Sequence, residues 1–264
     1  MGIGNDANLG TINFIRETYA ASPREAAAVY ACANTKGRVD IMELAYHWDF
    51  SFLNDYGSYY WTGIKKTLEV SLLAVLSGLV LGTLVSLLRL SGLRLLRFIG
   101  SVYVEIVRGT PLLVQLFLFY YGLPIFLGFD IGIFTAAYLT LTVNSGAYIA
   151  EIMRAGIQAV DKGQMEAARS LGMSKGLAMR QIILPQAFKN VLPALGNEFV
   201  VVVKESSVLS VIGYAELTYQ ANAIRGATFI SIEPMLISAL IYFVLIFTLS
   251  KLLGIGERRL KTSD

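Results

Sequence analysis

Long apolar runs separated by short charged stretches dominate the chain. Residues 70–88 form an uncharged run of 19, close to the roughly 20 residues a helix needs to cross the hydrocarbon layer. Uncharged runs follow at 109–129 and 131–150, and 234–250 is apolar up to Lys251, whose long stem can carry its ammonium to the surface. The stretch 191–213 is also apolar but contains Glu198, Lys204 and Glu205. Charges at membrane depth are costly and face a protein interior or a watery path, so this stretch predicts a helix buried within an assembly. The pattern predicts an all-α integral membrane protein with about five transmembrane helices, near 66–89, 99–127, 131–154, 191–213 and 234–254. Residues 1–62 then form an extracytoplasmic extension, and 257–264 a cytoplasmic tail. Gly78 and Gly82 give the first span a small-residue face suited to close helix packing.

The longest polar interruption, 163–190, separates two of these runs. Glu166, Ala167 and Ala168 begin a short helix that Gly172 can end, because glycine enters the left-handed backbone without strain. Ser174 can cap a second helix, and Pro185 is expected to stop it by removing a hydrogen bond and crowding the preceding turn. The result is a helix, a glycine turn and a helix presented to water. In the N-terminal extension, Ser22-Pro23-Arg24-Glu25 reads as a capping box. Between 46 and 61, Tyr46, Trp48, Phe50, Phe52, Tyr56, Tyr59, Tyr60 and Trp61 suit a belt at the membrane boundary; no hydrophobic core of a cleaved leader precedes them.

Composition agrees. With 55% hydrophobic and 16% charged residues and a mean hydropathy of +0.59, a soluble domain is excluded. The net charge of +3 is spread as a topology signal, which argues against nucleic acid. Arg89, Arg94 and Arg97 lie in one loop, Arg154, Lys162, Arg169, Lys175, Arg180 and Lys189 in another, while the alternate loops hold only Arg225. Basic residues mark cytoplasmic loops, so 163–190 and the C-terminus are expected in the cytoplasm and the N-terminus outside. A single cysteine, Cys32, and a single histidine, His47, leave no cluster for a metal site. No catalytic motif is present, and Gly-Lys never occurs, so the phosphate-binding loop of an ATPase is missing.

From Glu166 to Pro185 the pattern runs Glu-Ala-Ala, three residues, Gly, nine residues, Ile, one residue, Leu-Pro. It resembles the EAA loop of the membrane subunits of binding-protein-dependent ABC importers, with the type I importer fold. YVEIVRGTPLLVQ, SGAYIAEIMRAGI and NEFVVVVKESSVLSVIG resemble the polar amino acid permeases within that family, which carry histidine, glutamate, glutamine, arginine or opines. The resemblance implies that ATP and magnesium are bound by a partner ATPase dimer, with no cofactor in this chain. It also implies a second permease subunit, identical or paralogous, an extracytoplasmic amino-acid-binding protein and a bacterial inner-membrane location. Glu166, Ala167, Ala168 and Gly172 would couple to the ATPase, with the two alanines allowing its close approach.

Candidates for the cargo path are polar groups at membrane depth: Gln115, Asn144, Tyr148, Glu198, Ser206 and Ser207. Asn144 and Tyr148 share a helix face, as do Glu198 and Glu205. Two carboxylates on one face could bind the ammonium of a cationic amino acid; alternatively Lys204 and Glu205 form charge pairs in a packed bundle. A cargo such as an opine or other amino acid derivative fits the same pattern. A membrane enzyme lacks a paired nucleophile, metal cluster or cofactor motif, and a secondary transporter would call for internal repeats and broken half-helices that the sequence does not display.

Overall fold

The computed structural model describes residues 48–261, with side chains to 258. The capping box at 22–25, Cys32, Tyr46 and His47 lie outside the described residues. Helix α1 spans Leu53–Leu90, so it starts well before the apolar run and takes in part of the aromatic stretch. It is followed by α2 (Arg94–Arg108), α3 (Leu112–Leu127), α4 (Ile133–Gln158) and α5 (Lys162–Ser170). A long helical run over 175–205, α6, ends in a 3-10 segment, Ser206–Ile212. Helices α7 (Leu217–Thr228) and α8 (Glu233–Lys261) complete the chain.

α1 packs along α4 through small residues. A side chain at Gly82 would come within 2.7 Å of the Gly146 carbonyl and 2.8 Å of Ile149, and one at Gly78 would strike Ser145. Ser145 Oγ donates to the Ala74 carbonyl, and Ser77 meets Tyr138 by their hydroxyls. Residue numbers rise together along both helices, so α1 and α4 run parallel. The arrangement inverts a soluble core: Thr67, Ser71, Ala74, Gly78 and Gly82 point inward, while Leu72, Leu76, Val80, Leu84 and Leu87 are exposed. Between two helices in lipid there is no hydrophobic gain to be had, so close contact and dispersion decide which face turns inward.

α6 returns antiparallel to α4. Gly156 lies against Val191, whereas Val202 and Leu209 share a core with Val70, Leu116 and Leu141. α8 closes the bundle, with Leu253 against Gly196 and the Pro234 carbonyl accepting from Tyr60. Phe52 and Tyr60 are therefore buried against α7 and α8, while Tyr59 and Trp61 of the same stretch are exposed. Glu216, fully buried, caps α7 by accepting from the Thr218 and Tyr219 amides, and it also accepts from Tyr242 Oη at 2.7 Å. Burial pushes its carboxyl above the usual range, and these hydrogen bonds pull against that shift.

Two expectations are corrected. The second span is not one helix from 99 to 127: α2 and α3 meet at 105°. The chain breaks at Gly109-Thr110-Pro111, where Pro111 has φ −64° and no N–H to continue the ladder. Nor does Pro185 stop its helix. A π segment, Met179–Ile183, precedes it, so Pro185 falls at the first turn of the next α segment, Leu184–Glu205, where its missing N–H is not needed. Pro124 follows the π segment Leu118–Gly122 in the same way.

Leu53–Leu90 and Glu233–Arg258 are each long and apolar enough to cross a membrane, and α2 with α3 would make a third if the bent pair counts as one span. α4 and α6 carry too many interior polar groups to pass on composition alone. The glycine crossing predicts that Gly82→Leu, which forces a branched side chain onto Gly146 and Ile149, costs roughly 1–3 kcal/mol. In detergent its melting temperature should fall clearly below that of Gly57→Leu, where a side chain meets nothing within 4 Å.

Candidate functional site

Two polar regions concentrate chemistry. In the first, Asp161 caps α5 by accepting from Gly163 N at 2.7 Å, and Gly172 ends it with φ +83°. Met173 N then donates back to the Ala168 carbonyl at 3.1 Å, a left-handed helix stop that only glycine enters without strain. Arg169 secures the turn by donating to the Met173 carbonyl, and Ser174 caps the following segment by accepting from Leu177 N. α5 rests on the π segment through Met165, Met179, Ile182 and Ile183.

This places the expected coupling residues unequally. Glu166 and Ala167 are exposed, as are Gly172 and the neighbouring Leu171, which is 84% exposed. Ala168 is buried in the chain's own packing, so its small size serves α5's seat rather than the approach of another protein. A side chain at Gly172 would meet nothing within 4 Å; its glycine is required by backbone conformation and not by crowding within this chain.

The second region lies around α4. Asn144 Nδ2 donates to Gln115 Oε1 at 3.1 Å, and both side chains are buried. Gln115 Nε2 in turn donates to the Val107 carbonyl at 2.7 Å and to Thr110. Gln115 thus satisfies carbonyls orphaned by the α2–α3 break, so its amide secures the bend. Tyr148, on the same face as Asn144, turns instead to Arg108, whose guanidinium sits 5.3 Å from the ring centre. One turn on, Glu151 accepts from Arg89 of α1 at 2.7 Å and from Arg154 of its own helix, with Arg108 of α2 at 3.9 Å. A single carboxylate thereby ties the ends of α1 and α2 to α4. The three-residue spacing of Glu151 and Arg154 puts them on one helix face, but the partnership with Arg89 depends on the fold.

On α6, Glu198 and Ser206 are buried, and Ser207 is partly exposed. Both serine hydroxyls donate to carbonyls one turn back, Val203 and Lys204. Lys204 is exposed and forms no salt bridge with Glu205 among the described residues. Nor does any hydrogen bond among the described residues join this group to Gln115 or Asn144.

A family model for the inner membrane component of binding-protein-dependent transport systems matches residues 74–262. The chain belongs to this family. Its matched region carries α4, the α5 turn and α6, the elements that position both polar regions. The arginine transport system permease protein ArtQ of Bacillus subtilis is 44% identical over 202 residues, covering 76% of this chain and 92% of that protein. The glutamine transport system permease protein GlnP of Escherichia coli is 40% identical over 200 residues, covering 75% and 91%. The crystal structure of an amino acid ABC transporter with histidines is 50% identical, with a TM-score of 0.78 over 81% of this chain and 99% of that one. The inward-facing MetNI methionine ABC transporter shares the fold at 21% identity and a TM-score of 0.67.

As a member of this family the chain is a transport subunit of the inner membrane. The Glu151 junction joins three of its helices, α1, α2 and α4. The Arg89–Glu151 pair within it is largely shielded, with side chains 14% and 22% exposed. Glu151→Gln should leave Arg89 uncompensated and lower stability by about 2 kcal/mol, below the cost of breaking a fully buried pair because some water reaches this one. Lys66→Gln, at the exposed pair with Glu69, should change stability by less than about 0.5 kcal/mol. Thermal unfolding of the two variants in the same detergent checks the contrast.

Proposed function

We propose that this chain is the permease subunit of an ATP-driven importer of a polar amino acid, coupled to a separate ATPase through the exposed edge of α5. The observation that carries the coupling role is the division of α5 into a buried side, at Ala168, and a presented side, at Glu166 and Ala167. The left-handed Gly172 and two capped termini fix that edge in place, as a docking element that transmits force requires. Relatives named for arginine and glutamine transport support a polar amino acid as cargo. In this scheme the ATPase dimer binds ATP and magnesium, a second permease subunit completes the path, and an extracytoplasmic binding protein delivers the amino acid.

Five crossings are proposed: α1, the α3 limb of the bent α2–α3 pair, α4, α6 and α8. Their directions support that count, because α1, α4 and α8 run parallel while α6 runs against them. With the basic loops cytoplasmic, the N-terminus lies outside and the α5 turn inside. Gln115, Asn144, Tyr148, Glu198, Ser206 and Ser207 remain the candidates for the cargo path. Within them Gln115 and Tyr148 also hold the bend and Arg108, so they serve as framework for any cargo contact made by Asn144.

Gly172→Val tests the coupling role. A β-branched residue in the left-handed region is strained by roughly 1–2 kcal/mol, which should shift the α5 edge without touching the spans. Uptake and cargo-stimulated ATP hydrolysis, measured in proteoliposomes with all subunits present, should fall by about tenfold or more, while membrane insertion is retained. Normal uptake together with normal stimulation in the valine variant would contradict the assignment.

A further inference from the structure

α2 presents three distinct faces to its surroundings. Helical positions advance about 100° per residue, which places Leu96, Gly100, Tyr103, Val104 and Val107 on one arc. That arc packs on the protein: Gly100 lies against Arg89 and Val85, Val104 clusters with Val85 and Ala150, and Tyr103 Oη donates to the Val143 carbonyl at 2.7 Å. A second arc carries Arg94, Arg97, Ser101, Glu105 and Arg108. The third carries Leu95, Phe98, Ile99, Val102 and Ile106, and Leu95 and Phe98 are 69% and 66% exposed. A wholly apolar arc beside a basic one, on a helix already anchored by its third side, matches a helix lying at a membrane surface.

The geometry of the bend agrees. α3 runs beside α4, joined to it by the Gln115–Asn144 bond and the shared Leu116–Leu141 core. At 105° to α3, α2 lies nearly in the plane of the membrane. Its apolar arc also continues the outward face of α1, where Leu84, Leu87 and Leu90 are exposed and lead through Leu93 to Leu95. Charge then selects among lipids. Between residues 89 and 97 there is no acidic residue. Arg94 is exposed with no hydrogen bond or ion pair among the described residues, and Arg97 makes a single bond to the Ser91 carbonyl at 3.1 Å. Arginines near a membrane surface are attracted to anionic headgroups, and their fork of donors matches a phosphate.

We propose that α2 is an interfacial helix that binds anionic phospholipid, with Arg94 and Arg97 holding headgroup phosphates and Leu95, Phe98 and Ile106 among the acyl chains of the same leaflet. The site would make the bend at Pro111 sensitive to lipid composition. The proposed orientation enters only in naming that leaflet cytoplasmic.

The test uses the reconstituted transporter with Cys32→Ser as background and a fluorophore on Phe98→Cys or Ser101→Cys. Lipids brominated along their acyl chains should quench the label at 98 several-fold more than the label at 101. Impermeant iodide should reach 101 only from the side on which the C-terminus lies; access from the opposite side would overturn the leaflet placement. Strong iodide quenching at 98 with no quenching by brominated lipid would show that the apolar arc is covered by protein or open to water, and would overturn the proposal. Spin-labelled phosphatidylglycerol and phosphatidylcholine then compare headgroups. The preference for phosphatidylglycerol should fall by roughly fivefold per arginine in Arg94→Gln and Arg97→Gln and persist in millimolar inorganic phosphate. An unchanged preference in the glutamine variants, or its loss on adding phosphate alone, would exclude a lipid headgroup site at these arginines. Cargo uptake in the same vesicles separates the outcomes, since a failed lipid site leaves transport intact and a failed transport role leaves the quenching pattern intact.

Discussion

The close crossing of α1 and α4 sets the terms for the rest of the molecule. Lipid offers no hydrophobic reward for bringing two helices together, so contact depends on how near the backbones can come. Gly78 and Gly82 on one helix, with Ser145 and Gly146 on the other, remove the side chains that would keep them apart. Once α4 is seated, its length decides where other elements attach. Its middle holds Gln115 through Asn144, its lower part holds Arg89 and Arg108 through Glu151, and its end leads directly through Asp161 into α5. In the proposed coupling, a shift of α5 would reach α4, the helix against which α1, α2, α3 and α6 all pack.

Proline placement shows how this bundle bends without breaking. Pro124 and Pro185 each follow a π segment and begin a new α segment in a continuous run. Pro111 has no such preparation and turns the chain through 105°. The open carbonyls at that turn are met by a buried glutamine side chain. In lipid an unmet carbonyl would be far more costly than in water, so Gln115 at this position follows from the bend whether or not cargo ever touches it.

Legibility in the sequence divided along physical lines. Local features were readable: the left-handed stop at Gly172, the Ser174 cap and the small-residue face at Gly78 and Gly82 each depend on residues a turn or so apart. Features set by tertiary context were not. The break at Pro111 and the passage through Pro185 use similar residues with opposite outcomes, and the difference lies in a π segment that leaves no compositional trace. Ala167 and Ala168 are identical in sequence terms, yet one faces outward and the other inward because α5 is seated on Met179 and Ile183.

That unequal placement of two adjacent alanines gives the most direct measurement of the central claim, that the outer edge of α5 is the docking surface for a separate ATPase. Single cysteines at Ala167 and Ala168, in a chain carrying Cys32→Ser, would be treated with a short bifunctional thiol reagent in the assembled transporter. Ala167→Cys should form a covalent adduct with the ATPase subunit that changes in yield on adding ATP, whereas Ala168→Cys should form none while the fold is intact. Equal yields at the two positions, or no adduct at Ala167 in an assembly that still hydrolyses ATP in response to cargo, would contradict the account.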